Sequence, residues 1–199
     1  MQRDYNGSLT REQFLYYEIR IVASLILEGM SRTDILKKVK EENLFQFPTE
    51  RMVSSIVGTC FKRIDALPSQ TLVAYLSEAP AAVAKQVNLY AMMRYNGIVW
   101  DFMTTVIGEK FRTQEFAFSR KDLNIFMFRL QEQNDAAAAW SDATVGKIKQ
   151  VLAKTLVECA YLDTARSMQL NPVTIVPELE DEIRQCGDTA ALPAFNCFQ

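Results

Sequence analysis

The stretch Trp140-Ser141-Asp142-Ala143-Thr144-Val145-Gly146-Lys147-Ile148-Lys149-Gln150-Val151-Leu152 decides the fold class. Ser141 is placed as an N-cap, its hydroxyl accepting from a backbone N–H two or three residues on. Asp142 sits where the positive end of the helix dipole favours an acid. Val145, Ile148, Leu152 and Leu156 then recur at three- and four-residue steps, which predicts a helix from Trp140 to Tyr161 with one apolar face. Lys147, Gln150 and Lys154 fall on another face. The same grammar, a capping residue followed by an apolar residue every third or fourth position, recurs along the chain. With only 7 Gly and 6 Pro among 199 residues, turn positions are few. The expected fold class is therefore all-α, a mostly helical bundle.

Working outward, Thr10-Arg11-Glu12-Gln13 reads as a capping box opening a helix with a wide apolar face, ended by Gly29. Ser31-Arg32-Thr33-Asp34 starts a second helix, with Ile35, Leu36 and Val39 inward and Arg32, Lys37, Lys38 and Lys40 outward. Thr49 caps a third, Glu50 to Leu67, with Arg51, Lys62 and Arg63 facing out or flanking its apolar side; Pro68 stops it. A short helix follows over Leu72–Leu76. Pro80 opens another towards Arg94, and Tyr95-Asn96-Gly97 breaks it before Ile98–Phe111. Phe116-Ala117-Phe118 is extended, and Ser119-Arg120-Lys121-Asp122 caps the helix preceding the Trp140 stretch.

After Tyr161 the pattern changes. Met168, Leu170, Val173, Ile175 and Val176 read as extended, with Pro172 and Pro177 confining them to edge or irregular structure. That leaves room for one small β-hairpin near residues 166–176, an ending like that of a winged helix. Glu178–Cys186 is a short acidic helix closed by Gly187, and residues 188–199 form a tail with a weak helical turn. Pro68-Ser69 suggests an N-terminal helical unit, 1–67, beside a larger unit, 68–199, although one compact domain fits the same pattern.

Composition excludes more than it selects. The chain carries no histidine, which rules out Ser-His-Asp and Cys-His catalysis and histidine-containing zinc sites. Cys60, Cys159, Cys186 and Cys197 lack any C-x-x-C spacing and read as reduced thiols. No P-loop, G-x-G-x-x-G or G-x-S-x-G is present. The acidic runs Glu41-Glu42 and Glu178–Glu182 read as solvated faces. No catalytic residue, metal site or cofactor is expected. The N-terminal residues are polar, and no apolar run approaches the ~18 residues a membrane helix needs. The chain reads as soluble and cytoplasmic, with no membrane partner.

What remains are basic faces on a chain of net charge −2. From Ser167 onward one cation, Arg184, stands against five acids; the rest is slightly basic, 21 against 19. Three sets emerge: Arg32, Lys37, Lys38 and Lys40 with Arg51, Lys62 and Arg63; Lys110, Arg112, Arg120 and Lys121; and Lys147, Lys149 and Lys154. Such faces bind phosphates through charge and counterion release. On composition alone they read more readily as the solvated faces of core helices, and the residues by themselves leave the phosphate-binding reading open.

An ordered set of fragments bears on that choice. Asn43-Leu44-Phe45-Gln46 precedes an Arg-rich helix bearing Arg51, Lys62, Arg63 and Leu67. Asn88-Leu89-Tyr90-Ala91-Met92-Met93 and Phe102-Met103 follow, then Trp140-Ser141-Asp142-Ala143-Thr144 with Lys147 and Lys149. Together, over roughly Leu9 to Leu192, they resemble the BrxA family of BREX (bacteriophage exclusion) phage-defence systems. The resemblance implies a compact helical fold similar to the NusB-type antitermination factors and no enzymatic activity. It further implies double-stranded DNA binding and action beside the system's methyltransferase and ATPase. It carries no motif-anchored site residues, so the expected DNA contacts (Arg32, Lys37, Lys38, Lys40, Arg51, Lys62, Arg63, Lys147, Lys149 and Lys154) rest on charge and helix position. An assembly subunit docking on another defence protein through aromatic and methionine-rich surfaces is the alternative.

Overall fold

Short polar residues start most of the helices, as the capping grammar predicts. The computed structural model describes residues 5 and 7–198. Among them are eleven α-helices: α1 (Tyr16–Leu27), α2 (Arg32–Glu41), α3 (Glu50–Asp65), α4 (Gln70–Glu78), α5 (Ala81–Tyr95), α6 (Gly97–Asp101), α7 (Gly108–Arg112), α8 (Arg120–Gln133), α9 (Asp135–Ala138), α10 (Asp142–Glu158) and α11 (Pro177–Gln185). Ser31, Thr49, Ser69 and Ser141 accept from the N–H groups of Asp34, Met52, Leu72 and Thr144. Ser119 and Asp122 close a reciprocal capping box on α8.

The capping box expected at Thr10 does not form. Gly7–Thr10 is a 3-10 turn whose Thr10 hydroxyl donates to the Gly7 carbonyl at 2.9 Å. The helix begins only at Tyr16, after Leu15 turns through the left-handed region at φ 54°. The cause is tertiary. The Arg63 guanidinium donates to the carbonyls of Glu12 (2.8 Å), Gln13 (2.7 Å) and Phe14 (2.9 Å), and Asn88 Nδ2 adds a second bond to Phe14 O at 2.7 Å. Carbonyls engaged this way hold the segment outside the helix, and burial of Phe14 and Leu15 fixes it against the core.

One continuous cluster of buried apolar side chains runs from Leu9 to Phe195, on both sides of Pro68. Within it α1 packs on α3 and α4, and α3 on α5. Pro68 thus stands between two helices, α3 and α4, that both pack on α1. α6 and α7 form one run with a π-helical centre, Phe102–Ile107.

One expectation for the C-terminal region is corrected. No hairpin or wing forms over 166–176 among the described residues. Gln169 instead makes an isolated antiparallel bridge with Ala117, through Phe118 N–H to Met168 O (3.0 Å) and Leu170 N–H to Phe116 O (2.7 Å). The Gln86 side chain occupies the next segment, donating to Thr174 O and accepting from Val176 N–H, each at 2.9 Å. The helical turn expected in the C-terminal tail is present as a 3-10 helix, Thr189–Phe195, and it is packed, with Ala191, Leu192, Ala194 and Phe195 buried. Tyr161 Oη donates to Ala194 O at 2.9 Å. A Cβ on Gly108 would meet Pro193 Cβ at 3.0 Å, so the missing side chain there permits the close approach.

Candidate nucleic-acid interface

α10 buries Ile148, Val151, Leu152 and Leu156 and presents Lys147 and Lys154 to solvent. Lys149 Nζ reaches across to α8, donating to Asn124 Oδ1 at 2.8 Å. A groove of about 530 Å³ lies between the two helices, lined by Arg120, Asn124, Lys149 and Gln150 among others, with no carboxylate in its wall. Neither Lys147, Lys149 nor Lys154 forms an ion pair with another described residue. Two cations in a carboxylate-free groove, Lys149 held by Asn124 and Arg120 exposed, beside two exposed lysines on the same helix, suit a run of phosphates.

Lys154 also marks where the basic sets approach one another. Its Nζ donates to Gln13 Oε1 at 3.0 Å, at the edge of a second groove of about 340 Å³. Arg11, Tyr17, and Met52 and Ile56 of α3 line that groove, so the N-terminal half of α3 faces the end of α10. Glu18 and Glu158 are in the same wall.

The α2–α3 set is more heavily neutralised. Arg32 pairs with Asp65 at 2.6 Å and lies over the Phe61 ring. Lys37 and Lys40 stand 4.0 Å from Glu41 and Glu50. Lys62 lies over the Tyr95 ring, 5.8 Å from its centroid. Lys38 and Arg51 remain without an ion pair to a described residue. Arg63 leaves the set altogether. It is 1% exposed, bonded to the three carbonyls above, and burial pushes its pKa down, opposed in part by Cys60 and Glu12. A helical position three residues from the buried Cys60 carried that warning, because the 3.6-residue period returns it to the core.

The set Lys110, Arg112, Arg120 and Lys121 also divides. Lys110 is buried, with Nζ 3.0 Å from Asp122 and 3.3 Å from Glu115. Arg112 forms a two-pronged bond with Glu109. Arg120 instead joins Lys149, a pairing across 29 positions that no local pattern signals.

No group of three or more Cys, Asp or Glu side chains among the described residues is arranged to hold a metal ion. Cys60 and Cys159 are buried, and desolvation pushes the Cys60 thiol up to about 12 against the opposing charge of Arg63. No helix among the described residues is long and apolar enough to cross a membrane.

The family model described as BrxA matches residues 3–187. The chain is 27% identical over 185 residues to "BREX protein BrxA" of Bacillus cereus (strain H3081.97), covering 92% of each chain. It is 24% identical to the protein of the same name from Escherichia coli O9:H4 (strain HS), covering 91% of this chain and 84% of that one. Its fold matches the crystal structure of an uncharacterized protein from Magnetospirillum magneticum with a TM-score of 0.83 at 20% identity, over 96% of this chain and 97% of that one.

Proposed function

The chain belongs to the BrxA family, a component of BREX phage-defence systems, and from that premise we propose that it binds double-stranded DNA without catalysing a reaction on it. The α8–α10 groove carries the proposal. Arg120 and Lys149 line it without a carboxylate, and Lys147 and Lys154 extend the positive surface along α10. The contacts are chiefly to phosphate, so sequence preference is weak and affinity falls steeply with salt. Arg51 and Lys38 are secondary contacts on the α2–α3 side, and the other BREX components act beside the chain in the cytoplasm. The test is titration of duplex DNA at low and moderate salt. Binding that weakens steeply as salt rises supports the reading; no binding at low salt, or binding indifferent to salt, removes it. Incubation with duplex and Mg²⁺ is expected to give no cleavage.

A further inference from the structure

α8 is a ridge between two grooves of opposite charge. Successive helical residues turn by about 100°. Arg120 and Asn124, in the basic groove, therefore lie opposite Asp122, Ile125, Arg129 and Gln133, which face a second groove of about 580 Å³. The far wall of that second groove is the π-helical segment and α7, through Thr105, Val106 and Glu109. Four carboxylates line it, Asp101, Glu109, Glu115 and Asp122, against Lys110 and Arg129. Lys110 is buried and engaged, with Nζ also donating to Ala117 O at 2.7 Å. The crest between the grooves exposes Ile125 (40%) and Phe128 (62%), one turn apart. π-Helical turns are rare and concentrate at functional sites.

We propose that this groove docks a basic amphipathic segment of a partner protein. Its apolar side chains pack on Val106, Ile125 and Phe128, and its lysines or arginines meet Glu109, Glu115 and Asp101. Charge complementarity selects the occupant, since the carboxylates repel both nucleic acid and an acidic segment. The Glu109–Arg112 pair is exposed and readily exchanged for a partner's cation. The inference stands independently of DNA binding, because the two grooves flank opposite sides of α8.

The test is fluorescence anisotropy at physiological salt, using the full chain and a labelled Lys/Leu amphipathic peptide of about four helical turns, with a Glu/Leu counterpart. Saturable binding of the Lys/Leu peptide alone is expected. Glu109→Lys with Glu115→Lys should weaken it about tenfold. Ile125→Ser with Phe128→Ser should also weaken it, with unchanged circular dichroism and unchanged affinity for duplex DNA. Glu178→Lys with Asp181→Lys, on α11, should leave it unaltered. Equal weakening by the α11 pair would overturn the proposal as diffuse charge attraction, and so would undiminished binding in both groove variants. Photo-cross-linking from position 128 that captures a second copy of this chain in place of the peptide would also overturn it.

Discussion

Replacing Arg63 with methionine keeps the aliphatic stem and removes the charge and all five donors. Phe14 O retains its bond from Asn88, while the carbonyls of Glu12 and Gln13 lose theirs. An orphaned buried acceptor such as Glu12 O costs about 1–3 kcal/mol, while Gln13 is exposed and its carbonyl can turn partly to water, so the two together cost about 2–4 kcal/mol. Removing a buried guanidinium recovers part of its desolvation penalty. The segment can also relax, since the left-handed Leu15 conformation is itself unfavourable by about 1–2 kcal/mol. The net expectation is a loss of about 2 kcal/mol. With a urea slope of about 2 kcal/mol per molar, the midpoint falls by about 1 M at unchanged slope. Arg63→Lys keeps a charge but not the fork that spans three carbonyls, and should lie between the two. Urea unfolding followed by circular dichroism is the assay. A midpoint for Arg63→Met within about 0.3 M of wild type would refute the claim that this side chain holds residues 12–14. Folded Arg63→Met should bind duplex DNA as wild type does; a loss of affinity at full stability would return Arg63 to the interface.

Three further outcomes follow from individual residues. Ala160 occupies the left-handed position of a Schellman ending on α10, with Tyr161 N–H to Leu156 O (2.8 Å) and Ala160 N–H to Val157 O (3.1 Å). Because Ala160 is exposed, Ala160→Gly should stabilise the protein by about 1 kcal/mol, read as a raised urea midpoint; a lowered midpoint contradicts this. A thiol reagent at neutral pH should label the exposed Cys186 first and reach the buried Cys60 and Cys159 only after denaturation; rapid labelling of Cys60 in the native state contradicts the packing. Asp122 feels burial, which raises its pKa, but hydrogen bonds from Lys110 and Ser119 outweigh it and hold the carboxyl below its ordinary value. A depressed acid contributes stability above its unfolded pKa and loses it as pH falls through the native value. Asp122→Asn should therefore be less stable than wild type at neutral pH, with the gap narrowing below about pH 4; a gap independent of pH contradicts this.

Legibility followed the range of the interactions. Ser31, Thr49, Ser119 and Ser141 cap helices through bonds spanning two or three residues, so their signals are readable locally. Gly29 and Gly187, both at positive φ, were visible as helix endings for the same reason. Ala160 takes the same role as Gly29 but looks like any helix-forming residue. Thr10 failed because its capping signal competed with Arg63, about fifty positions away, and the tertiary bonds won. Gln86, about ninety positions from residues 174–176, likewise replaced the expected hairpin with side-chain bonds. At the candidate interface Lys147 and Lys154 were legible as outward positions on α10. Arg120 became part of it only when packing brought α8 beside Lys149, and Arg63 left it because its helical row turns inward.

The central claim, that the α8–α10 face binds duplex phosphates, is tested most directly by the salt dependence of DNA affinity in wild type and in Lys147→Gln with Lys149→Gln. If Arg120, Lys147, Lys149 and Lys154 each neutralise one phosphate, at a slope of about −0.9 per contact, wild-type affinity falls about 150-fold between about 50 and 200 mM salt. With two contacts removed, the same change weakens binding only about 12-fold. A double variant whose affinity and salt slope match those of wild type would contradict the claim.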